Sequence, residues 1–124
     1  MSTLIYLASP YTHPDKDIEE ERFDVVNRVT AKLICKGLFV FSPISYSHSI
    51  LTTNNNILNI PSGWEFWSRF DKLIIEKCGE LWVLVIPGWV TSKGIAAEVK
   101  FARSLDIPVK YLDPESLNLY TEVC

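Results

Sequence analysis

Short apolar runs that alternate with amphipathic helical stretches narrow the fold of this chain more than any other feature. "TLIYLAS", residues 3–9, is a run of the fully buried parallel-strand kind and ends in the breakers Ser9 and Pro10. From about Asp15 to Lys36 the periodicity turns helical. Ile18, Val25, Val26, Val29 and Leu33 share a face, acidic residues crowd the first turn, and Gly37 stops it. "LFVF" predicts a second strand, closed by Ser42 and Pro43. Residues 45–63 are polar, rich in Asn and aperiodic, and are expected to form a long loop that acts as a lid. Ser62 with Glu65 three positions on is a capping-box signature, so a helix is expected from Gly63 or Trp64 to about Lys77. "ELWVLVI" is the most apolar strand, followed by the turn "PGWVTSKG", a helix over 92–107 and the strand "IPVKYL". In "DPESLNLY" Asp stands at a cap position with Pro at N1, which predicts a short terminal helix.

Strands alternating with helices mean βαβ units with right-handed crossovers. The expected fold is therefore α/β, a flavodoxin-like or Rossmann-like three-layer sandwich around a four- to five-stranded parallel sheet. Ligands in such sheets gather outside the carboxyl ends of the strands. That directs attention to the loops at 8–14, 42–63 and 87–94. A length of 124 residues fits one domain, 1–124, with one core.

A formal charge of −3 argues against a nucleic-acid polymer as partner and leaves room for a small anionic ligand. Cys35, Cys78 and Cys124 show no CxxC or Cys/His ligand spacing, so neither a disulfide framework nor a zinc site is signalled. No apolar run approaches the ~20 residues of a membrane span, and no leader pattern opens the chain. The expectation is a cytoplasmic protein.

Three polar residues stand on apolar helical faces. Winding 92–107 at about 100° per residue puts Glu98 in the stripe of Ile95, Phe101, Ala102 and Leu105. Asp71 sits among Trp64, Trp67, Ile74, Ile75 and Cys78, and Arg22 lies in line with Ile18, Val26, Val29 and Leu33. Two inward carboxylates and a guanidinium around one sheet either form a costly buried network or line a cavity. Paired carboxylates suit glycosidic cleavage, one at the cationic anomeric carbon while a second group handles the leaving-group proton. Arg22 and the amides of "TSKG" offer an anion site at a helix N-terminus, and Trp64, Trp67, Tyr6 and Tyr11 offer stacking surfaces.

"IYLASPY", the Asp of "WSRFDKLIIEKCGELWVLVIPG" and "SKGIAAEVKFA" resemble the three motifs of the nucleoside 2-deoxyribosyltransferase superfamily, which includes nucleoside 5'-monophosphate N-glycosidases. The resemblance spans Leu4 to Leu112, and "VFSPISYSHS" and "WEFW" point to a small phage and bacterial branch. It implies that Glu98 is a nucleophile at C1' of deoxyribose, that Asp71 supports base protonation or orients the sugar, and that Tyr6 positions the glutamate. Ser92, six residues before the glutamate, matches the serine that receives a 5'-phosphate in the nucleotide hydrolases. The implied activity is cleavage of a (deoxy)nucleoside 5'-monophosphate, by hydrolysis or deoxyribosyl transfer. Two alternatives stand beside it: a nucleotide-binding or nucleotide-sequestering module without catalysis, and a structural subunit with a core ion network.

The expected site therefore comprises Glu98, Asp71 and Tyr6 as catalytic residues, with Ser92, Gly94, Ser9, Arg22, Trp64, Trp67 and His48 around the substrate. His13 and His48 fall in loops and have poor spacing for a metal. No flavin, nicotinamide or P-loop fingerprint appears, so no cofactor is expected. Ile57, Leu58 and Ile60 are exposed apolar residues of the loop and suggest a subunit contact, with a homodimer the expected assembly.

Overall fold

The structure is a computed structural model that describes residues 3–53, 58–61 and 63–121. Its order is β1 (Leu4–Ala8), α1 (Lys16–Cys35), β2 (Phe39–Phe41), α2 (Pro43–Leu51), α3 (Trp64–Ile75), β3 (Glu80–Leu84), α4 (Lys93–Ser104), β4 (Val109–Leu112) and β5 (Leu119–Tyr120). The five strands form one sheet in the order β2-β1-β3-β4-β5, parallel except for β5. This is the doubly wound, flavodoxin-like α/β sandwich expected from the alternation of elements. Because β1 pairs with β2 on one side and β3 on the other, the winding reverses there and opens a crevice at their carboxyl ends.

Side chains alternate across a strand, and in β1 the alternation feeds two separate cores. Ile5 and Leu7 pack with Val26, Val29 and Leu33 of α1, together with Trp82, Leu84 and Leu112. Tyr6 and Ala8 fall on the opposite face with Leu81, Val83, Ile75 of α3 and Ile95 and Ala102 of α4. The register of an apolar strand thus delivers a phenol to the centre of the second core, fully shielded from solvent.

The helices start and stop where local chemistry dictates. Asp15 caps α1 by accepting from Asp17 N at 2.9 Å, and Gly37, at φ 89°, turns the chain after it while Leu38 N donates to Leu33 O at 3.2 Å. No helix among the described residues is long and apolar enough to cross a membrane.

Two expectations fail. The stretch 45–63 is not loop throughout, because α2 occupies Pro43–Leu51 with Ser42 at its cap, accepting from Ser45 N at 3.3 Å, and Pro43 in its first turn. The same Ser-Pro pair that closes β2 opens the next helix. The terminal helix is absent from the described residues. Asp113 Oδ2 instead accepts from Ser116 N at 2.7 Å and Glu115 N at 3.1 Å. Leu117 then takes a positive φ of 60° and sends the chain back as antiparallel β5, with Tyr120 opposite Tyr111. The carboxylate that signalled a helix cap serves a tight turn. The capping-box residue Ser62 lies outside the described residues; the cap position of α3 belongs to Gly63, which makes no side-chain cap bond.

Candidate active site

Ser92 caps α4 by accepting from Ile95 N at 3.2 Å, and this start fixes the phase of the helix. Ile95 and Ala102 are buried against the sheet, so Glu98, one turn from each, is carried over the strands between them. There its Oε2 accepts a hydrogen bond from the hydroxyl of Tyr6. A buried phenol needs a partner, and a carboxylate under a helix needs a donor; each satisfies the other.

Asp71 approaches from α3. Trp64, Ser68, Asp71 and Lys72 form one stripe of that helix, and with Ala97 and Glu98 of α4 they line a cleft of about 220 Å³, including its part open to solvent. Its enclosed part is only about 10 Å³, room for roughly one water. The ligand-sized hollow expected at the mouth of the sheet is therefore a narrower groove between two helices. Among the described residues no Lys, Arg or His nitrogen lies within ion-pair distance of Asp71 or Glu98.

Burial without a cation sets the electrostatics. Desolvation pushes Asp71 up to about 7, against the lowering effect of hydrogen bonding by Tyr6. Desolvation is also the largest influence on Glu98, which is pushed up to about 8; Tyr6 lowers it and the neighbouring Asp71 charge raises it. Tyr6, buried beside both carboxylates, is pushed well above the usual phenol range. Near neutral pH the pair therefore holds at least part of a proton, a mixed state that acid–base chemistry uses.

A family profile described as a domain of unknown function, DUF1937, matches residues 3–113. The chain belongs to the DUF1937 family. A search of the curated proteins found no significant match. The fold of this DUF1937 chain is shared by several solved structures, two of them as follows. One is the 2-deoxyribosyltransferase from the psychrotolerant bacterium Bacillus psychrosaccharolyticus, with a TM-score of 0.61 and 21% identity over 98% of this chain and 76% of that one. The other is a conserved protein from Enterococcus faecalis V583, with a TM-score of 0.57 and 19% identity over 90% of this chain and 64% of that one. At these identities the likeness is one of fold, and it agrees with the superfamily that the three sequence motifs resemble.

The remaining expected residues of this DUF1937 chain separate into two groups. Trp64 lines the cleft, and its Cζ3 stands 3.8 Å from where a Cβ on Gly94 would lie. Ser9 is buried at the end of β1, and its hydroxyl lacks a hydrogen-bond partner among the described residues.

Others are committed elsewhere. Arg22 donates to Tyr11 O at 3.3 Å and Thr12 O at 3.0 Å and lies against Gly88, so its guanidinium fastens the loop after β1 to the turn after β3. Trp67 does not line the cleft; its Nε1 donates to Pro61 O at 2.7 Å and its ring meets Phe66 and Phe70. His48 is not a loop residue. It is buried on α2, with Nδ1 2.5 Å from the Tyr11 hydroxyl, Nε2 2.8 Å from Glu20 Oε1, and Phe23 against its ring. Ser92 spends an oxygen lone pair as a cap and does not line the cleft.

Ser68 and Lys72 were not foreseen, although their spacing of four and eight residues from Trp64 put them on its stripe. Glu19 was also missed. It is buried, accepting from His13 N at 3.0 Å and pairing with Lys16 at 3.1 Å.

Proposed function

We propose that this chain cleaves the N-glycosidic bond of a deoxynucleoside 5'-monophosphate, with Glu98 as nucleophile. The observation that carries the reading is the meeting of Glu98, Asp71 and Tyr6, from three different elements, at one cleft without a paired cation. A structural ion network would place a basic group on one of the two acids.

In this reading a Glu98 oxygen attacks C1' as the bond from C1' to the base nitrogen breaks. The bonding electrons leave with the base, and the single proton of the carboxylate pair, carried by Asp71 while Glu98 attacks as the anion, follows them. The Tyr6 hydroxyl holds the attacking carboxylate in line. Water, or the nitrogen of a second base, then displaces the glycosyl ester and frees Glu98. The sugar enters as the groove between α3 and α4 widens, while the base lies outside it against Trp64, 58% exposed at the rim, with Gly94 leaving room beside the ring. The resemblance of the motifs and the fold shared with a 2-deoxyribosyltransferase support the same chemistry. We also take the chain as a homodimer; Leu58, 73% exposed in the segment that precedes the helix carrying Asp71, belongs to the surface such a contact would cover.

The test is release of free base, measured by chromatography over a panel of deoxynucleosides and their 5'-monophosphates. Glu98→Gln is expected to lower turnover by at least ~10³-fold while leaving the fold intact. Wild-type turnover in that variant removes Glu98 from the mechanism.

A further inference from the structure

If the proposed substrate is right, its phosphate needs a cationic or donor-rich contact. The sequence directs attention to Ser92 and Arg22, but the structure has Ser92 serving as a helix cap and Arg22 bonded to two backbone carbonyls. The donors that line the cleft itself lie on the other wall. Ser68 has no hydrogen-bond partner among the described residues, and Lys72 forms no ion pair there; its ammonium rests 5.5 Å from the ring centroid of Phe101. Both residues line the same cleft as Asp71 and Glu98, one helical turn apart on α3.

We infer that Ser68 and Lys72 are the specificity-determining residues of this cleft and select a substrate carrying a phosphate over its uncharged nucleoside. This rests on the glycosidic reading for the identity of the site, and it goes further by naming the wall that reads the charge. The geometry favours it in three ways. Lys72 is the only cation lining the cleft among the described residues. Its resting place on an aromatic face holds it beside the carboxylates without an ion pair to either, so the charge stays available to an incoming anion. Ser68 adds a neutral donor one turn away, which suits a group with several acceptor oxygens. Burial holds about one proton on the carboxylate pair near neutral pH, which reduces the negative charge facing an incoming anion.

Calorimetry in the Glu98→Gln background, where turnover does not deplete the ligand, compares a deoxynucleoside with its 5'-monophosphate. The expected result is tighter binding of the monophosphate, a preference that weakens with added salt and falls about tenfold or more in Lys72→Met and severalfold in Ser68→Ala. Lys72→Arg is expected to keep most of the preference, since it retains the charge. Ser92→Ala is expected to lower the melting temperature through the lost cap and to keep the preference. The inference is overturned if neither ligand binds, if the nucleoside binds as well as its monophosphate, if Lys72→Met keeps the preference, or if Ser92→Ala abolishes it. Monophosphate binding with these losses, but without base release by the wild type, sustains this inference and defeats the glycosidic reading.

Discussion

At the scale of single residues, Asp71 and Glu98 share one proton where two charges would be too costly, and Tyr6 keeps its own. With Asp71 pushed up to about 7 and Glu98 to about 8, the pair carries one proton chiefly between those values. The proposed reaction needs one acid and one carboxylate, so kcat/KM is expected to trace a bell with its maximum between about pH 7 and about pH 8, checked by a pH–rate series of base release. The same groups act on stability. Folded Glu98 keeps its proton from the ordinary 4.5 up to about 8, whereas the unfolded chain gives it up at the ordinary value. Its favourable contribution is therefore complete below about 4.5 and is lost as pH rises through about 8. Glu98→Gln removes this dependence and is expected to stabilise the fold by about 1–3 kcal/mol at pH 9 relative to pH 5, read as the change in the melting-temperature difference from wild type.

At the scale of elements, the period-2 and period-3.6 patterns carried the central architecture. The run "TLIYLAS" contains β1, and the helices expected over about 15–36, 64–77 and 92–107 formed over 16–35, 64–75 and 93–104 with Glu98 and Asp71 facing inward. Periodicity works there because one face is buried and the other is not. The pattern failed where local chemistry has two outlets. Ser42 and Pro43 both end a strand and begin α2, and Asp113 caps a turn as readily as a helix. Arg22 and His48 were legible as polar residues in unusual company, but their partners Tyr11, Thr12 and Glu20 are set by how loops meet, which periodicity does not encode. The Arg22 clasp makes a prediction of its own. Gly88 stands at φ 99°, and a Cβ there would collide with the guanidinium. Gly88→Ala is expected to cost about 1–3 kcal/mol by denaturant unfolding, through backbone strain and displacement of Arg22.

At the scale of the whole molecule, the two walls of the cleft are supported unequally. Tyr6 belongs to a central strand with neighbours on both sides, and α4 buries Ile95 and Ala102 against the sheet. Of α3 only Ile75, at its last turn, is fully buried, while Trp64, Phe66 and Leu73 are exposed. Native-state hydrogen exchange is expected to find the amides of the first two turns of α3 opening well before those of α4 and β1. Equal protection across the three elements would contradict this unequal support.

Tyr6 cannot be altered without disturbing the centre of the fold, since the hydroxyl that donates to Glu98 belongs to a ring with no exposed surface. The opposite wall carries no such burden. Exchanging Ser68 or Lys72 leaves the packed interior intact, so one face of α3 can be rewritten while the buried meeting of Tyr6 and Glu98 is inherited unchanged.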